Sequence, residues 1–285
     1  MKKFACALIA LTLTVSASGQ DRFADVTIET VNVAGNISVL YGAGGNIGVS
    51  AGEDGLLIID DQFLPLAGRI KAALAKLGED QPTWVLNTHY HGDHTGGNPA
   101  FGNDGIIVAH DNVRIRLVGG EENLPKSALP VVTYSEKASI HFNNEEIRLL
   151  HMPSGHTDGD TVVFFSDSGV VHMGDHFFRD RFPYVDLGAG GSVKGMTRNV
   201  AKILSMIDDD TRIIPGHGKL GGKADLERYH DMLTRTTAAV SKMVDNGLSI
   251  DDAVARGLDD KWESWGTGFI NEERWIRTIH TELSD

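Results

Sequence analysis

Residues 87–97 read Asn87-Thr88-His89-Tyr90-His91-Gly92-Asp93-His94-Thr95-Gly96-Gly97. Three imidazoles and a carboxylate fall within six residues, and no other stretch limits the chain as much. Apolar Trp84-Val85-Leu86 lead in and glycines lead out, so the cluster sits just past a buried strand. In extended backbone His89 and His91 point to one side, Asp93 continues the alternation, and a turn at Gly92 swings His94 toward the same space. Packing neutral imidazoles against a carboxylate is costly unless they share a cation, and zinc takes both donors in one shell. The competing reading is a polar loop that happens to be rich in His. Three further sites downstream weigh against it.

The chain opens Met1-Lys2-Lys3, runs apolar from Phe4 to Val15, and turns small and polar through Gln20. That is the order of a secretory signal peptide, and the apolar run is too short for a permanent span. Residues 1–19 are therefore expected to be removed. The mature protein would be soluble and periplasmic or secreted, with no stable membrane insertion. Cys6 lies too early for lipid attachment, and it is the only Cys, so any metal must be held by His, Asp or Glu. The formal charge of −13 becomes two units more acidic without Lys2 and Lys3. Such a balance argues against nucleic acid as a partner. It leaves room for a small anionic substrate drawn to a cationic metal centre.

Strand patterns run over Val26–Val33, Ile37–Tyr41, Ile47–Ser50 and Gly55–Asp61. The turn Gly42–Asn46 between the second and third has hairpin chemistry and is also a candidate flap. Asp60, at a strand end, either orients a metal-bound imidazole or caps a turn. Pro65–Leu77 has helical spacing, and Thr83–Asn87 delivers the His-rich loop. Further strands are expected at Gly105–Ala109, 131–134, 138–142, 147–151, Thr161–Phe165, Gly169–Met173 and Arg212–Ile214, with a helix at Asp111–Val118. A helix is expected over Asn199–Ile207, starting from Ser192. Three of these strands lead into Gly155-His156-Thr157, Gly174-Asp175-His176 and Pro215-Gly216-His217-Gly218. Beyond Ala224 the chain reads as helices, with Ser249 and Asn271 as caps, packing on the core or making a dimer contact. Tyr90 and Trp84 read as core. His110, His141, His151, His172, His230 and His280 read as packed or solvated, and His176 as packing behind the site.

His-x-His-x-Asp-His, then Gly-His-Thr, Gly-Asp-His and Pro-Gly-His-Gly, in this order, resemble the metallo-β-lactamase superfamily. The resemblance covers the mature chain to about Gly222. It implies a four-layer αββα sandwich of the α/β class with a C-terminal helical tail. On that reading residues 1–19 are a signal peptide, 20–222 the hydrolase domain, and 223–285 a helical extension packed on the core. It implies two zinc ions per chain. His89, His91 and His156 would hold one, Asp93, His94 and His217 the other, and Asp175 would bridge them. A zinc pair brings a bridging water toward hydroxide at neutral pH. Asp93 would be the catalytic carboxylate, orienting that nucleophile as well as binding metal. Relatives that reduce oxygen carry Glu at the position of His91, so His91 points to zinc and hydrolysis.

The substrate implied is a small molecule with a carbonyl, a β-lactam first and with some promiscuity. Lactones, thioesters and alkyl sulfates are the alternatives, and a zinc-binding protein without turnover is a third reading. Leu187–Gly191 lies where β-lactamases carry a substrate-facing loop. Lactamases with Cys at the Asp175 position lack a counterpart of His94 and place Lys where Phe178 stands here, before Arg179. The metal set is nearer that of glyoxalase-type thioesterases and lactonases, yet the basic tail suited to glutathione thioesters is missing. A homodimer is compatible with the helical tail.

Overall fold

Apolar runs without polar alternation need cover on both faces, and this chain builds two sheets of that kind. The structure is a computed structural model that describes residues 22–120 and 123–284. The expected signal peptide, with Cys6, lies outside the described residues. The first sheet runs in chain order through β1 (Glu29–Ala34), β2 (Ile37–Tyr41), β3 (Ile47–Gly52), β4 (Gly55–Ile59), β5 (Trp84–Asn87), β6 (Ile106–His110) and β7 (Val132–Tyr134). Pairing is antiparallel from β1 to β4 and parallel from β4 to β7. The second sheet holds β8 (Lys137–Phe142), β9 (Glu145–His151), β10 (Thr161–Phe165), β11 (Val170–His172), β12 (Arg212–Ile214) and β13 (Gly221–Gly222). Only β11 and β12 pair in parallel.

Alternate residues of each central strand divide between two cores. Leu57, Ile59, Leu86 and Val108 face Leu149, Val163, Phe165 and Ile214 between the sheets. Leu56, Ile58 and Val85 turn outward onto α1 (Ala67–Leu74), through Ile70 and Leu74. Two short helices, α2 (Gly92–Thr95) and α3 (Asn98–Phe101), follow β5, and α4 (Asp111–Gly119) follows β6. Val162, Phe164, Val171 and Ile213 turn outward from the second sheet onto α5 (Val193–Leu204) and α6 (Lys223–Asp245). The order helix, sheet, sheet, helix is the expected αββα sandwich. Each fully buried aliphatic or Phe side chain contributes roughly 1.5–3 kcal/mol, so burial on both faces holds the layers together.

The tail continues through α7 (Ile250–Arg256) and α8 (Glu272–Ser284). Trp275 of α8 is fully buried, stacks on Phe182 and donates from Nε1 to Thr236. Glu282 accepts from Ser192 Oγ and Val193 N at the start of α5, where a carboxylate also meets the positive helix end. The tail therefore packs on the body of the protein. Ser192 and Ser249 cap α5 and α7 as expected. Several boundaries move: the strand expected to run to Asp61 ends at Ile59, and the helix expected to run to Ile207 ends at Leu204. The first strand starts at Glu29, and the helix expected over Pro65–Leu77 is a 3-10 turn at Leu64–Leu66 followed by α1.

Candidate metal centre

Every sequence-picked ligand lies just past a strand, and the strands deliver all of them to one edge of the sandwich. His89 and His91 follow β5, His156 follows β9, Asp175 follows β11 and His217 follows β12. Asp93 and His94 do not continue an extended alternation. They sit on the single helical turn α2, capped by His91 with extended backbone. That turn aims both side chains inward without a change of register.

Three overlapping groups form, each with ligand atoms within 4.8 Å of one another: His89, His91 and His156; His89, His94 and Asp175; and Asp93, His94 and His217. Asp175 is the hub. Its Oδ1 lies 3.2 Å from His94 Nε2, and its Oδ2 lies 3.5 Å from His156 Nε2 and 3.4 Å from His217 Nε2. Asp93 Oδ2 is 3.4 Å from His217 Nε2 and 3.6 Å from His94 Nε2.

Neighbouring groups decide which nitrogen of each ring faces the centre. His94 donates from Nδ1 to Asp60 Oδ2 at 2.7 Å, and His156 from Nδ1 to the Tyr184 carbonyl at 2.7 Å. His91 donates from Nε2 to Asp186 Oδ2 at 3.0 Å. These bonds leave His91 Nδ1 and His156 Nε2 as lone pairs 2.8 Å apart. Only a shared proton or cation makes that approach favourable. His89 Nε2, His94 Nε2 and Asp175 Oδ1 are also buried with no hydrogen-bond partner. Orphaned polar atoms of this kind cost free energy unless something unlike water satisfies them. The residues therefore fit cations held by imidazole and carboxylate.

The electrostatics agree. Burial alone would raise the Asp175 carboxyl, but the His217, His94 and His156 imidazoles outweigh it and hold it well below the usual carboxylate range. Burial lowers His89 well below the ordinary imidazole value, aided by His94 and His156. Burial, partly offset by Asp175, brings His156 down to about 4. Such rings are neutral at working pH, as metal ligands must be. For His94, burial opposes and Asp175, Asp93 and Asp60 prevail, so its value rises well above the ordinary one.

The support behind the ligands is built to fit. Asp60 has φ of 63° and accepts from Thr88 N, Thr88 Oγ1 and His94 Nδ1, each at 2.7 Å. Of its two expected roles, orienting an imidazole is the one the structure shows. Left-handed backbone at a non-Gly residue costs free energy and persists where the surroundings enforce it. Two glycines leave room for the ligands: a Cβ on Gly45 would meet the His94 ring at 2.2 Å, and one on Gly216 would meet Asp175 Oδ1 at 2.1 Å. The turn Gly42–Asn46 is a hairpin turn pinned from both sides rather than a free flap. Gly45 N donates to Asp93 O, and Asn46 Nδ2 donates to the Pro215 and Gly218 carbonyls.

A cleft of about 520 Å³ opens over His91, Asp93, Asp175 and His217. Gly44, Phe63, Phe178, Arg181, Phe182, Tyr184, Phe269 and Ile270 complete its walls. Leu187–Gly191 does not line it. That segment packs beneath, where Ala189 O accepts from Asp158 N and a Cβ on Gly191 would strike the His156 carbonyl at 2.4 Å. Tyr90 is half-buried rather than core, and its hydroxyl donates to Asp186 at 2.7 Å. Its edge position beside His91 makes that polar use possible. His176 packs behind the site as expected, held by Asn199. Sequence reasoning missed Asp186, Phe63, Arg181, Tyr184, Phe269 and Ile270. None of them carries a local pattern, and only the tertiary fold brings them here.

The profile of the metallo-beta-lactamase superfamily matches residues 40–217. A hydroxyacylglutathione hydrolase of Nitrosococcus oceani is 29% identical over 194 residues, covering 64% of this chain and 67% of the relative. One from Cereibacter sphaeroides is 27% identical, covering 54% and 55%. The chain thus spans roughly half to two-thirds of the length of these relatives. A metallo-beta-lactamase from Pontibacter korlensis superposes with a TM-score of 0.60 at 16% identity, covering 73% of this chain and 99% of that one. An inverting sec-alkylsulfatase from a Pseudomonas species superposes with a TM-score of 0.70 at 14% identity, covering 89% and 50%. At these identities the solved structures speak for the fold. With the matched profile, the fold and the clustered His and Asp side chains together, the chain belongs to the metallo-beta-lactamase superfamily of metal-dependent hydrolases.

Proposed function

We propose that the protein is an exported dinuclear zinc hydrolase that opens a carbonyl bond, with β-lactams as the first substrate class and some breadth beyond it. The observation that carries this reading is the convergence of seven ligands around three buried, partnerless polar atoms. The donor set, nitrogen and carboxylate oxygen without thiolate, suits zinc. His89, His91 and His156 would hold one ion, Asp93, His94 and His217 the other, with Asp175 between. When bound, a zinc pair supplies Lewis acidity toward the carbonyl oxygen and a water acidic enough to attack near neutral pH.

The chain's own residues do the rest. Asp93 lines the cleft, so its Oδ2 is the place to orient the attacking water and hold its proton. Asp60 keeps the proton of His94 on Nδ1, which leaves Nε2 free toward the centre. Phe178 stacks on His217 at 5.0 Å and limits the swing of that ring. The apolar wall excludes water from the reacting bond. Export rests on the leader-like order of residues 1–19, and cell fractionation tests it.

A second reading, thioester hydrolysis, is favoured by the names of the sequence relatives. Zinc content and turnover on a panel decide between them: nitrocefin, a hydroxyacylglutathione thioester, an acyl lactone and an alkyl sulfate. The proposal expects nitrocefin hydrolysis that a chelator abolishes and zinc restores. A kcat/KM for the thioester more than about tenfold higher would favour the second reading. Full zinc occupancy with no turnover of any substrate would overturn both.

A further inference from the structure

We infer that Asp160 is a positioning residue of the metal centre: its buried carboxylate holds the backbone around His156, and with it one of the two cation sites, in place. The inference rests on the two-cation reading above and adds a support for the group of His89, His91 and His156.

Asp160 lies just before β10 and is 3% exposed. Among the described residues no Lys or Arg pairs with it. Its ion-pair neighbour is His176, whose Nδ1 lies 3.6 Å from Oδ2. A carboxylate buried without a basic partner is expensive, so its other contacts must compensate. They converge on the loop that carries His156. Thr157 N donates to both oxygens, at 3.1 and 2.9 Å, and Thr157 Oγ1 donates to Oδ1 at 2.5 Å. The His156 N–H bonds to the same carboxylate. Hydrogen bonds to a charged acceptor are roughly twice as strong as neutral ones.

The main chain of Asp160 closes the same loop. Its carbonyl accepts from Met152 N and from His151 Nδ1, both at 2.9 Å. The segment from Met152 to Asp160 is therefore fastened at its ends and at its middle by one residue. The Tyr184 carbonyl fixes the rotation of the His156 ring, but it does not fix where the backbone holds that ring. Asp160 supplies that second constraint. Asp60 steadies His94 by touching its ring, whereas Asp160 steadies His156 by touching its backbone.

The loop has little slack. A Cβ on Gly155 would meet His176 Nε2 at 2.2 Å and Asp160 Oδ2 at 2.9 Å. Asn199 Nδ2 donates to that Nε2 and to the Pro153 carbonyl, both at 3.0 Å. His176 therefore carries its proton on Nδ1, facing Asp160, and the pair keeps the His156 loop against the segment that carries Asp175. Burial pushes the Asp160 carboxyl up to about 8. The role does not turn on that titration, because Oδ1 accepts from Thr157 with or without a proton on Oδ2.

Zinc binding tests this apart from turnover. In an Asp93→Ala background, which leaves the site of His89, His91 and His156, zinc affinity is measured by competition with a chelating dye. Adding Asp160→Ala should weaken it roughly 10–100-fold, and the visible spectrum of the cobalt-substituted protein should change. Asp160→Asn keeps an Oδ1 acceptor for Thr157 and should recover all but a few-fold of the loss. If Asp160→Ala fails to fold, Thr157→Val takes its place and should cost several-fold. A variant whose metal-free form melts lower while zinc affinity stays within about twofold and the cobalt spectrum is unchanged would show a merely structural residue and overturn the inference. No recovery in Asp160→Asn, or no loss in Thr157→Val, would overturn it as well. Failure of the two-cation reading would show separately, as an Asp93→Ala protein that holds no zinc before Asp160 is touched.

Discussion

The floor of the cleft and its mouth are built on opposite principles. On the floor, His89, His94, His156 and Asp175 are buried; Asp60 and the Tyr184 carbonyl fix ring orientation by short hydrogen bonds, and Thr88 holds Asp60 in turn. At the mouth, Arg181, Tyr184 and Phe269 are partly or largely exposed and make few polar contacts. The floor comes from strand ends of both sheets. The mouth comes from coil around 181–184 and from the segment just before α8. A rigid, over-determined floor suits chemistry that tolerates little displacement, and a looser apolar rim suits selection among substrates.

That contrast can be broken from the floor first. Asp175→Ala removes the hub and should lower kcat/KM by a thousandfold or more, about 4 kcal/mol of barrier, with loss of bound zinc by mass spectrometry. The next effect tests what holds the mouth in place. Trp275→Ala deletes a fully buried indole and its hydrogen bond to Thr236, and should cost about 3 kcal/mol in denaturant unfolding. Because Trp275 stacks on Phe182 at the cleft wall, KM should rise while zinc content holds. Asp60→Asn keeps the shape but weakens the hold on His94, and zinc affinity should fall roughly 10–100-fold by competition with a chelating dye. Phe269→Ala should be mildest: stability within about 0.5 kcal/mol of wild type, zinc unchanged, and a few-fold rise in KM for aryl substrates. A floor variant that keeps its zinc, or a mouth variant that loses it, would erase the distinction.

The same contrast explains what could be read from the chain. Floor ligands are chemically rare side chains beside glycines, each at the end of an apolar strand, so residue type and local period point to them together. The αββα order follows from strands whose two faces are both apolar, as with Leu56 to Ile59 dividing between two cores. The geometry of Asp93 and His94 was only half legible, because Gly92 starts a helical turn rather than a bend in extended chain. Family analogy puts Leu187–Gly191 at the cleft, yet Gly191 in it serves close packing under the His156 carbonyl. Mouth residues such as Phe269 and Ile270 lie more than fifty positions beyond His217, in coil with no period, and only the packing of α8 on α6 carries them over the site. Tyr90 looked like core because aromatic residues usually are. The carboxylate of Asp186 that gives its hydroxyl a partner comes from a distant part of the chain.

Zinc stoichiometry of wild type against Asp93→Ala bears most directly on the two-cation cage. Asp93 belongs to the group with His94 and His217 but not to the one with His89, His91 and His156. The account predicts about two zinc per chain in wild type and about one in the variant, with most hydrolytic activity gone. Two zinc and full activity in Asp93→Ala, or no zinc retained by wild type, would contradict it.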